Sequence, residues 1–124
     1  MKKKLFISCP MAGRSEENIR KTREKMHRIA ETVFEEELEV IPSYDNKYVA
    51  ENVKNEAVWH LGRSISLMAY ADYFIGVYGK NDLRGCGVEN KIAREYHLRR
   101  TFVNTFDVVP DIHEQLVNLL PGDE

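Results

Sequence analysis

The sequence predicts a three-layer α/β sandwich with a parallel sheet of four or five strands. Short apolar runs alternate with longer segments in which apolar residues recur at helical spacing, which is typical of successive β-α-β units. Right-handed crossovers then favour the strand order 2-1-3-4. No linker, internal repeat or low-complexity tract divides the chain, so we expect one domain over residues 1–124.

Composition excludes several classes of protein. The 124 residues are 43% hydrophobic and 31% charged, as in ordinary globular domains, and a net charge of −2 argues against binding nucleic acid polymers. No stretch is apolar for long enough to be a signal peptide or to span a membrane. We therefore expect a cytoplasmic protein in which Cys9 and Cys86 are free thiols. The scattered histidines and the lack of CxxC or HExxH predict no metal site, and we expect no cofactor.

The first β-α-β unit covers residues 5–42. A short apolar strand is predicted over 5–9, and Ser15 is a suitable N-cap for the helix that follows. Apolar residues at helical spacing extend this helix to about Glu36. A second strand is predicted over 38–42, where Pro42 ends it.

The second half of the chain continues the alternation of helices and strands. We predict a helix over 56–70, a strand over 73–78, a helix from near Val88, a strand over 101–104 and a terminal helix over 110–120, with a fifth strand at 108–109. The inward face of the helix at 56–70 would comprise Val58, Leu61, Ile65, Met68 and Ala69. A second patch, comprising Trp59, Arg63, Ser66 and Tyr70, is too aromatic for ordinary surface, so we expect another subunit or a loop to cover it.

Glu89 is the most informative single residue. On a helix that starts near Val88, Glu89 falls in the first turn and inside the apolar arc that it shares with Val88, Ile92, Ala93 and Tyr96, while Asn90 lies outside that arc. An unpaired buried carboxylate costs several kcal/mol, which favours a functional role. The structural alternative is that acidic residues suit the first turn of any helix.

A crevice is predicted where the carboxyl ends of strands 1 and 3 meet, because this is the topological switch point of the order 2-1-3-4. The glycines near it match neither a dinucleotide fingerprint nor a Walker A loop, and no GxSxG motif is present. The loop carboxylate Asp82 and Glu89 remain. Paired carboxylates suit glycosidic-bond chemistry, in which one is the nucleophile and the other the proton donor. We expect the helix N-terminus to keep Glu89 ionised.

Two segments of the chain, KLFISCPMAGR and DYFIGVYGKNDLRGCGVENKIAREY, resemble the nucleoside 2-deoxyribosyltransferase superfamily, and especially its short phage and bacterial branch. The resemblance implies a flavodoxin-like (Rossmann-like) fold, a homo-oligomer and cleavage of a nucleoside or nucleoside 5′-monophosphate at the N-glycosidic bond. It implies that Glu89 attacks the sugar C1′ and that Asp82 corresponds to the loop Asp of the family. Ser64 stands where the transferases carry a further Asp, so transfer to a second base and hydrolysis both stay open.

The candidate substrate-binding residues lie on the loops of this crevice. They are Phe6, Ser8, Pro10, Met11 and Gly13 at the first strand, Tyr44 after the second, and Arg84, Gly85 and Gly87 before Glu89. Hydroxyls of Ser8 and Ser43 together with Arg84 would suit a 5′-phosphate. Two alternatives stay open: a non-catalytic protein that binds or sequesters a nucleotide on the same fold, and a protein-interaction role for the Trp59 patch.

Overall fold

The protein forms an α/β fold in which a four-stranded parallel sheet lies between two layers of helices. The computed structural model describes residues 1–11, 13–43, 48–79 and 85–109. The elements in chain order are β1 (Lys3–Ile7), α1 (Glu16–Phe34), β2 (Leu38–Val40), α2 (Glu56–Met68), β3 (Tyr73–Tyr78), α3 (Gly85–Glu95), β4 (Arg99–Asn104) and α4 (Thr105–Val108).

The predicted strand order is confirmed. The sheet runs β2-β1-β3-β4, and all three neighbouring pairs are parallel. The register aligns Leu5 of β1 with Tyr73 of β3, and Tyr73 with Arg99 of β4. The strands β1 and β4 each begin two residues earlier than predicted. The flavodoxin-like three-layer arrangement is therefore the fold of this chain.

Two hydrophobic clusters fill the spaces on either side of the sheet. Residues of β1 alternate between them, with Leu5 and Ile7 on the side of α1 and Phe6 on the side of α2 and α3. Phe6 is only 1% exposed, and its ring stacks on that of Phe74 at 5.9 Å. The Phe6 side chain is therefore part of the core, and the interpretation of Phe6 as a substrate contact stays a prediction.

The first helix begins as predicted, whereas the second is less well covered than predicted. Ser15 caps α1 by accepting the N–H of Asn18 at 3.1 Å. On α2, Val58 was expected to face inward but is 63% exposed, and Ala69 lies beyond the helix and is exposed. The Trp59 ring packs edge-on against Tyr48 at 5.6 Å, so a loop contacts part of the predicted patch.

The prediction of a fifth strand at 108–109 is wrong. Val108 ends the short helix α4, whose first residue, Thr105, bonds back to the end of β3. The described part of the chain therefore contains four strands, and the predicted helix over 110–120 lies outside it. No helix within the described ranges combines the length and the apolar character that a membrane crossing requires.

Candidate functional site

The site forms where β1 and β3 end side by side. Ser8 is the first residue after β1, and its backbone N–H donates to the Ile75 carbonyl of β3 at 2.9 Å. This bond extends the ladder between the strands by one residue and fixes the Ser8 side chain, which is 1% exposed. Side chains alternate between the two faces of a strand, and Ile7 lies on the face covered by α1. The hydroxyl of the next residue, Ser8, therefore lies on the face covered by α3.

Helix α3 begins at Gly85, three residues earlier than predicted. The segment Gly85-Cys86-Gly87 forms the first turn of the helix rather than a loop. Glycines favour loops on average, but Cys86 in this turn is buried and Gly85 lies near Leu61 of α2, so packing outweighs propensity here. Glu89 is consequently the fifth residue of the helix, and the expectation that it occupies the first turn is wrong.

Glu89 is buried, and it is paired with Ser8. Its residue exposure is 8%, and the Ser8 hydroxyl donates to Oε1 at 2.6 Å across 81 residues of sequence. A contact of this length is typical of a hydroxyl that donates to a carboxylate. The sequence-based expectation that Glu89 faces inward at the switch point is therefore met, and Ser8 is its partner.

Burial has the largest influence on the pKa of Glu89, and the helix dipole is not among its main causes. Loss of hydration raises the pKa of the carboxyl above its ordinary value. The Ser8 hydroxyl and the positive charge of Arg23 oppose this and favour the ionised form. The expectation that a helix N-terminus keeps Glu89 ionised is wrong, because the dipole acts mainly on the first turn and Glu89 lies beyond it.

Two thiols border the pair of Ser8 and Glu89. Cys9 and Cys86 are both buried, and neither forms a disulfide. Burial raises the pKa of the Cys86 thiol to about 12, so this sulfur is protonated at neutral pH and cannot act as a thiolate nucleophile. Of the two α3 groups nearest Ser8, the carboxylate of Glu89 is thus the one suited to nucleophilic chemistry.

Arg14 holds the loop between β1 and α1 in place. Its guanidinium donates to the Pro10 carbonyl at 2.5 Å, to the Asn18 carbonyl at 3.0 Å and to the Thr22 hydroxyl at 2.6 Å. Gly13, next to it, has a left-handed backbone with φ of 73°, which a glycine adopts without strain. Arg14 thereby links Pro10, at the start of this loop, to the first two turns of α1.

A groove opens at the same edge of the sheet, on the side of α1. Its volume is about 540 Å³, and its lining comprises Ile7, Glu16, Glu17, Arg20, Arg23, Glu24, His27 and Val40. Neither Ser8 nor Glu89 is among these lining residues. Arg23 connects the two places, because its guanidinium donates to the Ile7 carbonyl at 3.4 Å and its charge acts on Glu89.

The remaining predicted site residues within the described ranges lie on the loop after β1 and in the first turn of α3. Met11 packs on the cluster beneath α1, while Gly13 and Gly87 are exposed and Gly85 is half-buried. A Cβ added at Gly85 would only touch Leu61 at 4.0 Å, so the fold does not require glycine there. Asp82, Arg84 and Tyr44 lie outside the described residues.

Sequence reasoning missed Asn90 and Arg23. The buried face of α3 comprises Cys86, Glu89, Asn90 and Ala93, whereas Val88 and Tyr96 of the expected arc are 42% and 76% exposed. Gly76 inside β3 was the available signal for Asn90, because a glycine within a strand often marks the close approach of another group. Arg23 lies four residues after the buried Ile19 and three before Met26, a spacing that already places it beside the inward face of α1.

Comparison of the chain with protein-family models, with curated proteins and with solved structures found no match in any of the three.

Proposed function

We propose that the protein cleaves, or transfers a sugar at, the N-glycosidic bond of a nucleoside or nucleoside 5′-monophosphate, with Glu89 as the nucleophile. The observation that carries this proposal is the buried Glu89 carboxylate held by the Ser8 hydroxyl at 2.6 Å, beside the switch point of the sheet. Ligands of open α/β sheets bind at this position. The resemblance of the two loop segments to the nucleoside 2-deoxyribosyltransferase superfamily supports the same assignment.

The chemistry requires an ionised carboxylate that is free to leave its hydroxyl partner. One Glu89 oxygen attacks C1′, the bond from C1′ to the base nitrogen breaks, and the base leaves with that electron pair. A proton donor neutralises the base, and Asp82 is the residue that we propose for this role. Water then releases the free sugar, or a second base takes it; both routes regenerate the carboxylate.

The surroundings of Glu89 suit this reaction. Low hydration makes a carboxylate more nucleophilic, and the hydroxyl of Ser8 and the charge of Arg23 offset the cost of keeping it ionised. The groove on the α1 side of the same sheet edge has a volume of about 540 Å³, which is in the usual range for a small-molecule site. We assign the nucleoside or nucleotide to the edge that joins this groove to Glu89.

Two further assignments accompany the proposal. We place the protein in a reducing cytoplasm, which agrees with two free buried thiols. We also propose a homo-oligomer, because Tyr70 at the end of the Trp59 patch and Val58 on the same helix both leave apolar surface exposed. Light scattering at high micromolar concentration tests the assembly independently of any activity.

The proposed activity is tested with a panel of nucleosides and their 5′-monophosphates, read for release of the free base. Glu89→Gln keeps the size of the side chain and removes its charge, so turnover should fall by roughly 10³-fold or more while binding persists. Glu95→Gln is the matched control, because Glu95 is exposed on the same helix and should retain full activity.

The same panel decides between catalysis and binding alone. Thermal stabilisation of the wild type by one ligand, without release of base from any, would support the non-catalytic nucleotide-binding alternative. Base release that survives in Glu89→Gln would contradict the nucleophile assignment. Equal affinity for a nucleoside and its 5′-monophosphate, unchanged in Arg84→Ala, would remove the phosphate from the proposed substrate.

A further inference from the structure

Asn90 is the second buried polar residue of α3, and its side chain reaches β3. The residue is 7% exposed, and its Nδ2 donates to the Val77 carbonyl at 2.7 Å. Among the described residues, its Oδ1 atom has no hydrogen-bond partner. A buried acceptor without a partner is unfavourable, so simple packing explains an asparagine here poorly.

The Val77 carbonyl needs a partner because of the sequence that follows β1. In a parallel pair, alternate carbonyls of one strand accept from alternate residues of its neighbour. Ser8 donates to Ile75, so the next donor in this register would be residue 10. Residue 10 is Pro10, which has no N–H. Asn90 therefore donates to the Val77 carbonyl the hydrogen bond that Pro10 cannot donate.

Gly76 allows the helix to come this close. A Cβ at Gly76 would lie 2.2 Å from Oδ1 of Asn90 and 2.8 Å from a ring carbon of Phe74, and neither distance is tolerable. Gly76 shares with Phe74 the face of β3 that α3 covers. The amide thus occupies the place of the missing side chain, and this fit sets the distance and the rotation of α3 against the strand.

Both partners of the Ser8–Glu89 hydrogen bond are consequently attached to the same short piece of β3. Ser8 is attached through its backbone N–H to Ile75, and the helix turn that carries Glu89 is attached through Asn90 to Val77. These two carbonyls are two residues apart on one strand. We propose that Asn90 is a positioning residue, which locks α3 at the rotation where Glu89 receives the Ser8 hydroxyl.

This inference rests on the proposed function, since it assigns Asn90 a part in the same site. Its test is designed to succeed or fail without any substrate. The groups that act on Glu89 are the Ser8 hydroxyl at the end of β1 and the Arg23 guanidinium of α1, and the Cys86 thiol of α3 lies beside the pair. A change in the rotation of α3 would move Glu89 away from the first of these, and the carboxyl would lose a donor that lowers its pKa.

The experiment follows the titration of the Glu89 carboxyl carbon by NMR in protein labelled with ¹³C-glutamate, assigned from Glu89→Gln. Asn90→Leu keeps the size of the side chain and removes its donor. Thr105→Val is the matched control, because Thr105 is also buried and its hydroxyl donates to the next carbonyl of β3, that of Tyr78, at 2.8 Å. The control removes a comparable hydrogen bond to β3 without involving α3.

Asn90→Leu should raise the pKa of Glu89 as far as Ser8→Ala does, and the double variant should raise it no further, since both changes remove one interaction. Thr105→Val should leave that pKa unchanged. If Asn90→Leu does not fold, Gly76→Ala displaces the same amide from the opposite side and should give the same rise. A wild-type titration curve in either variant, or additive effects with Ser8→Ala, would overturn the proposal.

Steady-state kinetics, measured with a substrate that the wild type cleaves, provide a second test of the role of Asn90. Misplacing the nucleophile should lower kcat by about 10²-fold with little change in KM, because the residue contacts no substrate. An equal loss in Thr105→Val would overturn the positioning role. If the wild type releases no base from any nucleoside, the proposed function fails, and the titration alone decides the role of Asn90.

Discussion

Helices α1 and α3 cover opposite faces of one sheet, yet their buried faces differ in chemistry. The buried residues of α1 are Ile19, Thr22, Met26 and Ala30, whereas those of α3 are Cys86, Glu89, Asn90 and Ala93. The polar member of α1 is satisfied, because Thr22 accepts from Arg14 and donates to the Val108 carbonyl. On α3, a carboxyl with a raised pKa lies beside an amide whose oxygen has no partner among the described residues. Packing explains the face of α1, whereas apolar packing alone does not explain the two polar residues on the face of α3.

The largest expected effect is on the free energy of unfolding, which should respond differently to substitutions on α1 and on α3. Met26→Ala should lower the free energy of unfolding by roughly 2–5 kcal/mol, because it leaves a cavity in a fully buried part of α1. Glu89→Gln should leave that free energy unchanged or raise it at neutral pH, because it removes a buried charge. Urea denaturation at pH 7 measures both. A loss in Glu89→Gln as large as that in Met26→Ala would make Glu89 a structural residue and remove the contrast.

The sequence predicted the parts of the fold that depend on repeated patterns. Alternating strands and helices were enough for the parallel order β2-β1-β3-β4, and Ser15 was enough for the start of α1. The rotation of α3 could not be predicted in this way. Its helical arc pointed to Val88 and Tyr96, but the close fit of Asn90 to Gly76 turns the helix so that both are exposed. A rotation set by a contact between distant residues leaves little trace in the local spacing of apolar residues.

The sequence pointed to Glu89 and Ser8 as site residues, but not to Asn90 and Arg23 near them. A carboxylate within an apolar arc identified Glu89, since burying a charge is costly enough to need a reason. The start of α3 was placed three residues late, because Gly85 and Gly87 favour a loop by propensity. That error led directly to the wrong expectation about the helix dipole. The fold brings Arg14 to the loop after β1, and it brings Arg23 close enough for its charge to act on Glu89.

A smaller effect is expected on the pKa of Glu89, and it is tested by comparing two buried hydroxyls. One is that of Ser8, which faces α3, and the other is that of Thr22, which belongs to α1. Ser8 donates to Glu89 at 2.6 Å, and Thr22 donates to the Val108 carbonyl at 2.7 Å. Ser8→Ala removes a donor that lowers the pKa of Glu89, so that pKa should rise by roughly 1–2 pH units, as expected from the 1.5–3 kcal/mol of a hydrogen bond to a charged group. The acidic limb of the pH–rate profile should move upward by the same amount. Thr22→Ala is the control, and a shift of its profile would show that any buried hydroxyl has this effect.

The smallest effect is the dependence of stability on pH. A carboxyl whose pKa is raised in the folded state binds its proton more tightly there than in the unfolded chain. Its contribution to stability is complete below the unfolded pKa and is lost as the pH rises through the folded pKa. The wild type should therefore lose stability relative to Glu89→Gln as the pH rises through this window, by about 1.4 kcal/mol for each pH unit between the two pKa values. Parallel stability curves for the two proteins would mean that burial does not perturb Glu89.

The most direct test of the functional interpretation of α3 is to look for the sugar on Glu89. The wild type is incubated with a nucleoside or 5′-monophosphate that it cleaves, quenched with acid, digested and mapped by mass spectrometry. The proposed role of Glu89 as nucleophile predicts one sugar residue, joined as an ester, on the peptide that contains Glu89, and none in Glu89→Gln. A sugar on a different residue, or base release by the wild type that continues in Glu89→Gln, would contradict it.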